Sequence, residues 1–161
     1  MNPPLNARDR GFQAAAVFTI VAGVVMALIG IAAWGLVSSQ LSAEGITVHE
    51  DSTMMGGALV GDPVRDPFTA YAQAEVIAGH AMEASGGKTY AELDREDPAR
   101  NTVQTAAFLR ASLFTSVISF GICALVIGLG ILFVVVGGAL RRVSAVDPGA
   151  EEVREKSLAS V

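Results

Sequence analysis

Two stretches of the chain, Gly11 to Leu41 and Ala111 to Leu140, contain no Asp, Glu, Lys or Arg, while polar and apolar positions mix everywhere else. Each stretch exceeds the ~20 residues that a helix needs to cross the hydrocarbon of a bilayer. In that medium a segment must satisfy its own backbone amides and carbonyls, so the pattern predicts two helices. The boundaries that follow are a tail at 1–12, a first transmembrane helix at 13–37, an intervening loop at 38–110, a second transmembrane helix at 111–140 and a tail at 141–161. Trp34 sits near the loop end of the first span, where an indole is favoured at the headgroup level.

Inside the loop the punctuation is local. Asp66-Pro67 reads as an N-cap and first helical residue and Ser85-Gly86-Gly87 as a helix stop, which predicts a helix over about 67–85. Phe68, Tyr71, Val76 and Met82, with Ala72 and Gly79, fall on three- and four-residue steps and form one apolar face. That face is expected to pack on the second long helix around Val103, Ala106 and Ala107, although Gly79 costs the helix about 1 kcal/mol relative to alanine. Ile46-Thr47-Val48-His49 alternates as a short strand or extended segment. Thr89 opens a brief turn with Tyr90 and Leu93 available for packing. Asp97-Pro98 then repeats the cap signature, and no proline follows until Pro148. A single helix from Pro98 to about Val143 would be roughly 69 Å long, against about 30 Å of hydrocarbon, so its first turns project beyond the bilayer. Pro3-Pro4 precludes a helical start to the chain, Asp147-Pro148-Gly149 ends the second helix, and Glu151 to Ser157 form a short charged helix or none. The fold class is thus an all-α membrane protein: a two-span antiparallel transmembrane hairpin with a helical extracytoplasmic loop and a projecting second helix.

Composition agrees, with 52% of residues hydrophobic and 17% charged. The net charge of -5 conceals a division, because Ser42 to Arg110 holds eleven acids against five bases. Such a loop repels nucleic acid and anionic headgroups. Arg8 and Arg10 before the first span, and Arg141 and Arg142 after the second, place both termini in the cytoplasm and the loop outside the plasma membrane. Arg110 is the contrary charge. A cleaved signal peptide ending at Ser42-Ala43 is disfavoured, since the uncharged run far exceeds the roughly 7 to 15 residues of a signal core. The lone Cys123 lies inside the second span and forms no internal disulfide.

Candidate chemistry is sparse. Ser85-Gly86-Gly87-Lys88-Thr89 approaches a phosphate-binding loop, but Met82 stands where its first glycine belongs and no strand precedes it. Glu92, Asp94, Glu96 and Asp97 lack a calcium-loop pattern. His49 and His80, with Met54, Met55, Met82 and Glu50, are donor types suited to copper, yet nothing in their spacing joins them, so no metal ligand is expected. There is no nucleophile elbow, no zinc-binding histidine pair, and no intramembrane carboxylate or lysine to mark an ion path. No catalytic or cofactor-binding residue and no small-molecule substrate is expected.

The positive signal is steric. Gly23, Ala27 and Gly30 on the first span, and Gly121, Ala124 and Gly128 on the second, are small residues at helical spacing that allow close approach in lipid. Matched by depth, Gly30 faces Gly121, Ala27 faces Ala124 and Gly23 faces Gly128. Phe114, Phe120, Phe133 and Val134 to Val136 are left for lipid or a partner.

The segments Pro67-Phe-Thr-Ala-Tyr-Ala-Gln-Ala-Glu-Val-Ile77, Glu83-Ala-Ser-Gly-Gly-Lys-Thr-Tyr-Ala-Glu-Leu93 and Ala107-Phe-Leu-Arg-Ala-Ser-Leu-Phe-Thr-Ser-Val117 resemble a family of small two-span membrane proteins of actinobacteria, over about Val17 to Leu140. The resemblance implies a fold and a lineage. Its members often bear the name of aromatic ring-opening dioxygenase, which implies an iron site of histidines and carboxylate in a substrate cavity. Two histidines on an outward loop do not suggest such a site, and no functional residue carries over. Three functions are therefore weighed: a non-catalytic accessory subunit of a larger membrane complex, with the actinobacterial cytochrome bcc-aa3 respiratory supercomplex and its oxidase subunits as the natural host by analogy; an extracytoplasmic metal or cofactor handling factor for oxidase assembly; and an enzyme of the named kind. The first is expected, with structural or regulatory work and no cofactor of its own.

Overall fold

The computed structural model describes residues 7–145 of the chain. The readings of Pro3-Pro4, of Asp147-Pro148-Gly149 and of Glu151 to Ser157 fall outside these residues. Among the described residues the protein is all-helical, with α1 (Ala7–Ala43), α2 (Pro67–Ala84), α3 (Ala99–Ala145), one short 3-10 turn at Met54–Gly57 and no strand. With 37 and 47 residues, α1 and α3 are about 56 Å and 70 Å long. Both are long and apolar enough to cross a membrane, and only 17% and 22% of their most apolar windows is buried. A core helix of a soluble protein would be mostly buried, so these faces require another apolar cover.

The chain divides into two compact units, Ala32–Ala124 and the remainder. In the latter, Ala16, Gly23 and Gly30 of α1 and Gly130 and Gly137 of α3 are buried at steps of seven residues. Seven residues make nearly two turns, so these positions form one line along each helix. The two backbones touch there. A Cβ built on Gly23 would stand 2.5 Å from the Gly130 carbonyl oxygen and 2.9 Å from Phe133 Cβ, and one on Gly130 would stand 2.7 Å from the Ala27 nitrogen. One on Gly137 would meet the Ala16 carbonyl oxygen at 2.8 Å and Ile20 Cγ1 at 2.6 Å. As residue numbers rise on α1 they fall on α3, so the segments run in opposite senses.

This seam corrects the depth-matched pairing. Gly23 and Gly30 are buried and Ala27 is half-buried, but Gly121, Ala124 and Gly128 are all exposed, and a Cβ on Gly121 or Gly128 would meet nothing within 4 Å. Gly23 lies against Gly130 rather than Gly128. Depth fixes pairing only to within a turn, whereas two residues rotate a helix face by roughly 200°. That displacement carries Gly128 to the outside.

In the unit Ala32–Ala124, α2 is defined by its ends. Asp66 Oδ1 accepts the backbone N–H groups of Phe68 at 2.9 Å and Thr69 at 3.0 Å, while Thr69 Oγ1 accepts the Asp66 N–H at 3.2 Å. This reciprocal capping box satisfies donors that the first turn otherwise leaves bare. At the other end Gly86 and Gly87 adopt φ +63° and +82°, and the Gly87 N–H reaches back to the Met82 carbonyl at 2.7 Å. The left-handed turn that stops the helix requires glycine. Ser85 to Thr89 is therefore a helix stop.

The face that α2 buries differs from the expected one. Thr69, Ala70, Ala72, Ala74, Val76 and Ala81 are buried, whereas Phe68 is 61%, Tyr71 41% and Met82 43% exposed. Of the four expected packing residues, Val76 alone is buried. The alanines let α2 approach its neighbours closely over an arc of roughly 200°, leaving the large side chains to the rim. The core beneath joins Val48, Val64, Ala70, Ala72, Ala74 and Leu113, with Leu41, Ile77 and Phe114 packed around it. Tyr71 meets the Phe114 ring edge-on at 5.7 Å. Phe120, expected to face lipid or a partner, is 1% exposed, its ring 4.7 Å from Trp34; the indole anchors a core contact.

Two devices hold the rest of this unit. Val48 N–H donates to the Asp62 carbonyl, Gly61 N–H to Val48 and Val64 N–H to Ile46, each at 2.9 Å, and Thr47 bridges Pro63. This clasp closes the loop between residues 48 and 61. Before α3, Asp97 Oδ1 caps Ala99 N–H at 2.9 Å, and Arg100 donates to the Tyr90 and Leu93 carbonyls with its guanidinium 4.0 Å above the Tyr90 ring. Glu92 Oε2 accepts both the N–H and the hydroxyl of Thr89.

Candidate metal centre

The clasp and α2 together bring His80 to His49 and Asp51, the latter 29 positions away in sequence. His49 follows Val48 at the mouth of the clasped loop, and its backbone N–H donates to Gln73 Oε1 of α2 at 2.9 Å. Asp51 lies two residues on. His80 sits on the last turns of α2. Its Nε2 lies 2.7 Å from Asp51 Oδ2, and His49 Nδ1 lies 3.1 Å from the same oxygen. The two imidazoles meet edge-on with centroids 5.1 Å apart. One ligand atom from each of the three side chains falls within 4.8 Å of the others, the one such group of three among the described residues.

The electrostatics turn on Asp51. The hydrogen bond from His80 holds its carboxyl below the ordinary 3.8, helped by the charges of His49 and His80 and opposed by partial desolvation. The carboxylate is thus the form the site favours. The Asp51 backbone N–H also points at His49 Nδ1, at 3.3 Å. All three side chains remain exposed, the histidines nearly half and Asp51 60%.

Beside them opens a cavity of about 510 Å³ lined by Asp51, Ser52, Met54, Glu75 and His80 among others. Ser52 is 6% exposed, and its hydroxyl has no hydrogen-bond partner. Buried hydroxyls are ordinarily paired. Of the sulfur and carboxylate donors considered from the sequence, Met54 reaches this cavity; Met55, Met82 and Glu50 do not line it.

Two imidazoles and one carboxylate can hold a transition ion with open positions left for water. The same donor set serves the iron oxygenases named by the resemblance, but here it opens to bulk solvent. Sequence reasoning joined the two histidines only by type and omitted Asp51. The available signal was the nearness of Asp51 to His49 in sequence, inside a turn that the Ser52 N–H closes on the His49 carbonyl at 3.1 Å. Compared with known proteins, the chain matches no family model, no curated sequence and no solved structure.

Proposed function

We propose that this chain is a two-span protein of the plasma membrane, with both termini cytoplasmic and the loop that carries α2 outside, and that it serves as a non-catalytic accessory subunit of a larger integral membrane complex. The observation that carries this reading is apolar surface where lipid does not reach. Large faces of α1 and α3, including Phe18, Leu28, Ile29, Ile122 and Leu125, are exposed, and a bilayer covers these. It does not cover Phe68, Met82 and Met55 of the outward loop, which are 61%, 43% and 68% exposed. Phe68, Tyr71 and Met82 lie along one exposed face of α2, and an apolar face turned to water marks a protein contact. The acidic balance of the loop favours a basic neighbour. By analogy the host is an actinobacterial respiratory assembly of the cytochrome bcc-aa3 kind, and the work is structural or regulatory.

Purification in mild detergent through a tag on the C-terminal tail is expected to bring a large membrane complex with it. Phe68→Asp combined with Met82→Asp should lower its recovery about tenfold while the helical content holds. Recovery of the chain alone, or unchanged recovery with the double variant, would overturn the reading. A second reading, an extracytoplasmic metal handling factor for oxidase assembly, is favoured by the convergence of His49, Asp51 and His80.

A further inference from the structure

We infer that His49, Asp51 and His80 form a binding site for one divalent transition-metal ion of the copper(II) and zinc(II) class, with solvent filling the remaining coordination positions. The inference deepens the second reading above by naming ligands and ion. It rests on that reading only for the site, not for delivery to an oxidase.

The donors are of the right kind. Imidazole nitrogen suits copper and zinc, while a lone carboxylate is far short of the six or more oxygens that calcium collects. Their spread brings them within reach of one ion. A tetrahedral ion with bonds of about 2.0–2.1 Å needs donors about 3.3 Å apart; here the histidine nitrogens stand 3.1 Å and 2.7 Å from Asp51 Oδ2, and the three donor atoms lie within 4.8 Å of one another. An ion would displace the proton shared by His80 and Asp51, part each histidine nitrogen from the carboxylate oxygen by a few tenths of an ångström and draw the two imidazoles together.

The imidazole of His49 is turned toward Asp51. Its Nδ1 accepts the Asp51 N–H while facing the Asp51 carboxylate oxygen at 3.1 Å. The ligands are also mounted on ordered backbone, since the clasp and Gln73 hold His49 and the capped α2 carries His80. Glu75 and Glu83 line the adjoining cavity and raise its affinity for a cation, and the unpaired Ser52 hydroxyl in the same wall is placed for an ordered water.

The test uses the full chain in detergent, purified without a histidine tag and stripped with chelator, then titrated with copper(II) or zinc(II) alone. One ion per chain is expected, copper binding more tightly than zinc, and the copper(II) electron paramagnetic spectrum should carry splitting from two imidazole nitrogens. His80→Gln and Asp51→Asn should each weaken binding tenfold or more with helical content unchanged, and Glu50→Gln, beside the cluster, should not. Absence of saturable binding would overturn the site, as would equal affinity in the His80→Gln variant or an equal loss in Glu50→Gln, which would mean diffuse acidic charge. Stoichiometric binding sensitive to His80, in cells whose oxidase keeps its full metal content after deletion of the protein, upholds the site and removes the delivery role.

Discussion

Gly23 and Gly130 are positions where one added carbon meets main chain rather than a movable side chain, since each faces the other's carbonyl oxygen at 2.5–2.6 Å from a built Cβ. Overpacking ordinarily costs about 1–3 kcal/mol by forcing rotamers to shift; a carbonyl has no rotamer, so Gly23→Leu and Gly130→Leu should fall at or above the top of that range. Gly128→Leu enters open space and should leave thermal unfolding in detergent unchanged. Equal losses at 128 and 130 would refute the seam. Asp51 and Glu92 give a different readout. Asp51 is held below 3.8 chiefly by the His80 hydrogen bond, and Glu92 below 4.5 by the Thr89 amide and hydroxyl. A depressed value in the folded state means that these contacts stabilise fully above the unfolded values and are lost as pH falls through the lowered ones. Carboxyl chemical shifts should therefore titrate below 3.8 and 4.5 respectively, and His80→Gln should return Asp51 toward 3.8. Midpoints at or above the ordinary values would remove the contacts from the solution structure.

Helix α2 shows what the amino-acid order makes legible and what it hides. Its ends are written in neighbouring residues, because Asp66, Pro67 and Thr69 complete a cap among themselves and Gly86 and Gly87 supply the turn. Asp66→Ala should cost about 1 kcal/mol and Asp66→Asn much less, read as hydrogen-exchange protection across residues 67–84; equal protection in both variants and the parent would show that the cap is idle. The buried face, by contrast, depends on Val48, Val64 and Leu113, which no local pattern identifies as neighbours. Periodicity weighted toward Phe68, Tyr71 and Met82 selected the large residues, while contact was made by alanines. The same limit governed the long helices, where two uncharged runs announced α1 and α3 but left their rotation open by half a turn. It also governed the metal cluster, since the clasp that brings Asp51 to His80 across 29 positions is made of backbone hydrogen bonds that residue types do not encode.

The proposed orientation across a membrane rests on flanking charge, and labelling tests it. In a Cys123→Ala background, an impermeant thiol reagent should modify Lys88→Cys in intact protoplasts and spare Ser157→Cys; the reverse pattern would invert the orientation. The seam of α1 and α3 has one more property. Its glycines recur every seven residues on both helices, so sliding one past the other by seven, about 10 Å, sets Gly30 on Gly130 and Gly23 on Gly137 and satisfies the same steric rule. Small residues thus act as a vernier with more than one coincidence, good at drawing helices close and poor at choosing among alignments. The choice falls to the bulkier residues beside them, Ile20 against Gly137 and Phe133 against Gly23, so trimming Ile20 and Phe133 to alanine would leave two helices that still associate but no longer agree on where.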